Sequence, residues 1–335
     1  MRPIAVICGI ARQRFSSVST FALAAAVLIP AGTAQTQSVS LDELGVLPPA
    51  TRQSPQLASV RSLLSSGQLE AAEKQLAGLA QSGFPEAEIA YWRGVLELRR
   101  GNGYDAIRQL RHAQKLSHDP HPIASLALAY YSVGQFHLFE SFMLQAVQRL
   151  PDAFAPHYYL GRYYATAGVA DFARAREHLA RSIQLNPTYF RSYYYLGYCH
   201  EAEKHFDEAQ SLYQKSMHIA EPEGHSFVLP YEGMARILNF QDRLQAAQEY
   251  AAKAAALAPR EPEAHKIMAE IYERQQRSEL AAQEWETAAT LDPADSVAQY
   301  RLFRLYTSLG KKELAALALR QYKRLVQLYG SVVTP

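Results

Sequence analysis

Cysteine is nearly absent from the sequence: Cys8 and Cys199 are the only two in 335 residues. Cys8 falls in the N-terminal segment, so Cys199 stands alone once that segment leaves, and no intramolecular disulfide framework is available. Nor is there an uncharged apolar run of about 18 residues, so no conventional membrane span is indicated. Charge of one sign is lacking too. The formal net charge is +2, which gives no electrostatic footprint for nucleic acid. No phosphate-binding glycine loop, G-x-S-x-G turn, paired cysteines or dinucleotide-binding glycine set occurs. These absences leave an enzyme without positive support and call for no cofactor.

What is present begins with an expected leader over residues 1–34. Arg2, Arg12 and Arg14 make a basic start, Phe21 to Ile29 is a short apolar stretch, and Ala31-Gly32-Thr33-Ala34 offers small residues for a cut after Ala34. Three arginines and no acid lie in this leader, so without it the formal charge of +2 becomes −1. The expected localisation is exported, periplasmic or extracellular. The long basic start leaves open a leader kept as an anchor; after cleavage no transmembrane span remains. Residues 35–52, with Leu41-Asp42-Glu43-Leu44 and Pro48-Pro49, are expected to be a disordered lead-in.

From residue 53 a period emerges. The stretch Thr188 to Pro222 is two short amphipathic segments in tandem, with Leu196-Gly197 in the first and Ala209 followed by Tyr213 in the second. Aligning on Ala209 gives Ala72, Ala106, Phe139, Ala175, Ala209, Ala247, Ala281 and Ala315, at spacings of 34, 33, 36, 34, 38, 34 and 34. The longer spacings fall at inserted residues near Val169-Ala170-Asp171 and Glu223-Gly224-His225. The W-x2-L-G-x2-Y, A-x3-F, P pattern is matched by degrees. In the fourth repeat it is His157, Leu160-Gly161, Tyr164, Ala175, Leu179 and Pro187. The seventh has His265, Met268-Ala269, Tyr272, Ala281, Trp285 and Pro293. The array therefore resembles tetratricopeptide (TPR) repeats over residues 53–327, followed by a tail over 328–335. The third repeat departs from the pattern, with Phe139 in the small slot.

The resemblance implies an all-α fold, a right-handed α-solenoid of about eight helix-turn-helix repeats. Proline placement is an independent check, because an interior proline costs about 3 kcal/mol. Pro55, Pro85, Pro120, Pro122, Pro151, Pro156, Pro187, Pro222, Pro230, Pro259, Pro262 and Pro293 all fall at expected repeat boundaries or first turns. Ala127, Gly161, Gly197, Ala235 and Ala269 are expected to be small because the partner helix crosses close to them. Tyr130, Tyr164, Tyr213, Tyr272 and Trp285 are expected to fill wider gaps.

Two histidine clusters need a reading. His200 and His205 approach the zinc-protease spacing, but at five residues apart on one helix their rings would point about 140° from each other, which gives no metal site. His118-Asp119-Pro120-His121 reads as a helix cap, and Cys199 as a buried structural thiol.

The resemblance also implies that the first helix of each repeat lines a concave groove. Mapped here, the groove residues are Tyr131, Tyr158, Arg162, Arg191, Tyr194, Tyr198, Glu201, Glu232, Arg236 and Asn239, continuing to Lys266, Glu270, Glu273, Tyr300 and Arg304. Tyrosine and arginine are enriched at binding hot spots, and arginine pairs well with carboxylates. The bland alternative is a solvated helix face whose arginines are neutralised by Glu201 and Glu232. The set differs from the lysine- and asparagine-based clamp of chaperone-binding TPRs. The expected function is a non-enzymatic scaffold binding a peptide segment of a partner protein. The alternative is an accessory or assembly subunit of a secretion or polysaccharide-export complex. Leu314, Leu317, Leu325 and Leu328 on the last helix suggest either a greasy terminal helix or a homo-oligomer contact.

Overall fold

The structure is a computed structural model that describes residues 54–165, 169–223 and 227–329. The expected leader, the lead-in and the tail beyond residue 329 lie outside these residues. Helices account for all the regular structure among the described residues. The first three pairs are α1 (Pro55–Ser65) with α2 (Leu69–Gln81), α3 (Glu86–Arg99) with α4 (Gly103–Leu116), and α5 (His121–Ser132) with α6 (Phe136–Arg149). Next come α7 (Phe154–Ala165) with α8 (Phe172–Leu185), α9 (Phe190–Ala202) with α10 (Phe206–Ala220), and α11 (Leu229–Phe240) with α12 (Leu244–Leu257). The last two pairs are α13 (Pro262–Arg274) with α14 (Ser278–Leu291), and α15 (Ser296–Ser308) with α16 (Lys312–Tyr329). Each helix packs on the next, which is the solenoid expected from the period.

The register residues, Ala72 through Ala315, are all buried. A second series repeats the same spacings. In the turn between the two helices of each pair, one residue takes positive φ: Gly67, Gly101, Gly134, Ala170, Lys204, Asp242, Gln276 and Gly310. The left-handed residue ends the first helix and sends the chain back antiparallel. Four positions use glycine; the others accept a strain of about 1–2 kcal/mol each. Caps support the entries. Asp295 Oδ1 accepts from the backbone N–H of Val297 (2.8 Å) and Ala298 (3.1 Å). At α5 the cap residue is Pro120, whose side chain has no group to cap with; Asp119 just before it accepts the His121 N–H at 2.9 Å.

Phe139 in the small slot breaks nothing. Its ring is buried edge-to-face against Tyr131 at 5.1 Å and Tyr163 at 5.0 Å, so it bridges the third and fourth pairs. Cys199 is fully buried, and burial pushes its thiol up to about 12, which makes it inert.

Two expectations need correction. The rings of His200 and His205 meet, with centroids 5.9 Å apart. The helix ends at Ala202, Lys204 turns the chain, and the His205 N–H donates to the His200 carbonyl at 2.8 Å, so one-helix geometry does not apply. On the last helix, Leu325 faces the core, whereas Leu314, Leu317 and Leu328 are exposed.

Candidate functional site

First helices of neighbouring pairs also touch each other, at α3/α5, α7/α9, α9/α11 and α11/α13, and no two second helices do so to a similar extent. A stack held closer along one side bends toward it, so the first helices line the inner surface. That surface is where the expected groove residues sit, although not all of them reach solvent.

Tyr158 is 1 % exposed and Tyr194 is 7 % exposed. The Tyr158 ring is enclosed by Tyr159 (5.0 Å), Tyr189 (4.9 Å) and Tyr195 (5.9 Å). Tyr194 lies against Tyr195 (4.9 Å), Phe227 (5.4 Å) and, stacked at 5.6 Å, Tyr213. The expectation that these two rings line an open groove is therefore corrected: they form its floor. The cause is a third neighbour. A first helix packs against its own partner and, as α7 does on α9 and α9 on α11, against the first helix of the next pair, so a position that a lone pair leaves open is closed by the next repeat. Tyr193, next to Tyr194 in the chain, is conversely half-buried, its hydroxyl donating to the Pro187 carbonyl at 3.0 Å.

The three central arginines remain half-buried at this surface. The Arg162 guanidinium lies 5.7 Å from the Tyr195 ring centre, and that of Arg191 lies 5.0 Å from Phe227 and 5.3 Å from Phe190. Such cation–π contacts hold a guanidinium in place. Arg236 is used differently. Its Nε donates to Glu201 Oε1 at 2.9 Å and its Nη2 to Oε2 at 3.2 Å, a bidentate pair joining α11 to α9. Tyr213 also donates its hydroxyl to Glu201. The neutralisation considered for Glu201 thus applies to Arg236. Tyr131 packs on Phe136 and Phe139, half-buried Tyr198 has its phenol pushed up by burial, and Asn239 Oδ1 accepts from Arg274 at 3.1 Å. Phe190, Phe227 and Tyr195 escaped the sequence reading, because they reach the inner face only through inter-repeat packing.

Farther along, the surface turns acidic. Glu232 is 3 % exposed. Burial, then Glu263, raises its carboxyl to about 7, with Arg236 and Lys266 opposing. Glu270 is raised by burial as well. Lys266 donates to Glu263 (3.0 Å) and Asp295 (3.4 Å), and Arg301 to Glu273 (3.3 Å), which also accepts Trp285 Nε1–H at 2.7 Å. At the end of the array Tyr300 packs on Tyr322, and Arg304 is exposed.

The sequence profile described as tetratricopeptide repeat matches residues 57–120, 167–218 and 233–296, together more than half of the chain. No curated protein matches the sequence. Among solved structures, a tetratricopeptide repeat protein from Parabacteroides merdae is similar at a TM-score of 0.54 and 15 % identity, over 75 % of this chain and 97 % of that one. Pseudomonas aeruginosa pilF is similar at a TM-score of 0.54 and 18 % identity, over 64 % of this chain and 93 % of that one. At such identities the likeness speaks for the fold alone. The buried register, the eight left-handed turns and the profile agree: the chain belongs to the tetratricopeptide repeat family.

Proposed function

We propose that this protein is a non-enzymatic scaffold that takes an extended segment of a partner protein along the inner surface of its third to sixth repeats. The carrying observation is the row of half-buried guanidiniums and aromatic rings there, with Arg162 over Tyr195 and Arg191 over Phe190 and Phe227. Rings fix the orientation of these arginines, so less side-chain freedom is lost when a ligand docks. A photo-crosslinking amino acid at Tyr198 is expected to trap a protein in cells. The trap should vanish when Arg162, Arg191 and Arg236 are all changed to Ala, with helical circular dichroism retained. Trapping from an outer-face position such as Glu279 but not from Tyr198 would reverse the assignment.

We further propose that the chain acts outside the cytoplasm after loss of its leader, on the strength of the basic start, apolar stretch and small residues of residues 1–34. Mass spectrometry of the protein from its native host should give an N-terminus near Gln35. A chain starting at Met1 in the cytoplasmic fraction would refute export.

A further inference from the structure

The partner's chemistry can be narrowed where the inner surface turns acidic. Glu232 lies one helical turn before Arg236 on the same face of α11. The residue is only 3 % exposed, and its carboxylate makes no hydrogen bond among the described residues; what exposure remains lies at its oxygens, which are not sealed from the inner face. Glu270, one turn after Lys266 on α13 and half-buried, likewise has none. The cations beside them are committed elsewhere: Arg236 to Glu201, Lys266 to Glu263 and Asp295, and Arg301 to Glu273.

Burying an ionised carboxylate without a paired donor is unfavourable. Here one such group on α11 and a half-buried one on the adjoining α13 lie on neighbouring first helices, and each feels the further negative charge of Glu263. A cation supplied from outside offsets that cost through charge-assisted hydrogen bonds. Among the described residues no group of three or more His, Cys, Asp or Glu could hold a metal ion, so a monovalent organic cation fits better. Its carrier needs a long, thin stem to reach a carboxylate this deep. We propose that Glu232 and Glu270 receive the ammonium or guanidinium of a lysine or arginine in the bound protein segment. This rests on the groove reading above and adds a polarity to it: the basic residue of the partner lies toward the sixth and seventh repeats.

The test uses the mature chain and two fluorescein-labelled twelve-residue peptides, (Gly-Ser-Lys)4 and (Gly-Ser-Glu)4, followed by fluorescence anisotropy. The lysine peptide is expected to bind. Changing Glu232 and Glu270 together to Gln should weaken it by about tenfold or more, the scale of one charge-assisted hydrogen bond. Glu313→Gln, an exposed acid on the terminal helix, should leave it unchanged and so controls for general charge. The proposal is overturned if the double variant binds within about twofold of wild type, if Glu313→Gln weakens binding as much, or if the lysine peptide does not bind. Retained crosslinking at Tyr198 under any of those results would leave the groove standing and remove only the cation assignment. Loss of both would remove the groove as well.

Discussion

Tyr213→Ala is expected to destabilise the array by about 3–5 kcal/mol, the range for deleting a large aromatic side chain from a packed core. Tyr213 is fully buried at the joint between the fifth and sixth repeats. Its ring is clamped between two glycines. A Cβ at Gly197 would come within 2.8 Å of the ring from one side, and one at Gly233 within 2.4 Å from the other. Tyr194 stacks on it and its hydroxyl donates to Glu201. Removing the ring leaves a cavity that two glycine-bearing helices cannot fill with their own side chains. Glu201 keeps its bidentate pairing with Arg236, so the loss is mainly one of packing. Tyr213→Phe should therefore cost much less, about 1–3 kcal/mol for a hydrogen bond to a charged acceptor. In a solenoid each repeat leans only on its neighbours, so the damage should be local. Hydrogen exchange in the alanine variant is expected to quicken in α9 to α11 and to stay unchanged in α1 and α2. Wild-type melting and exchange in Tyr213→Ala would show that the clamp bears no such weight.

Gly197 and Gly233 also mark the limit of what the sequence discloses. Gly197 belongs to the repeated pattern, so its close approach to the second helix of its own pair was legible. Gly233 lies outside that pattern and is small because the preceding repeat pushes Tyr213 against it. The same division runs through the whole chain. Features set by the repeat's own sequence could be read in advance: the register, the proline positions and the buried Cys199. Features set between pairs could not. Tyr158 and Tyr194 hold the expected positions along the inner face, but angular reasoning about a single helix omits the neighbouring first helices that cover them. The Arg236 pair with Glu201 spans 35 residues, about one period, and the sequence offered it only as the alternative of a neutralised face. Nothing comparable marks Glu232, because its exceptional feature is burial without a donor.

That feature leads to the second large effect, a pH-dependent gain on changing Glu232 to Gln. The Glu232 carboxyl titrates at about 7 in the folded chain against an ordinary value of 4.5. Below 4.5 it is protonated in both states and costs nothing. As pH rises from 4.5 to 7 the unfolded chain releases this proton while the folded chain holds it, so stability falls. Above 7 the penalty is complete, and for a shift of this size it is about 3 kcal/mol. Glutamine keeps the shape and stays neutral throughout. Glu232→Gln should therefore melt several degrees above wild type at pH 8, with the difference closing by pH 4. Glu263 and Glu261 add to the penalty while Arg236 and Lys266 reduce it; Glu263→Gln should accordingly recover a smaller part of the gain. A variant melting at or below wild type at pH 8 would mean that the charge is already compensated in the free protein, and the case for a cation supplied by the partner would weaken with it. The expected gain points the other way: a carboxylate that costs stability in the free array becomes favourable only when something positive is bound against it.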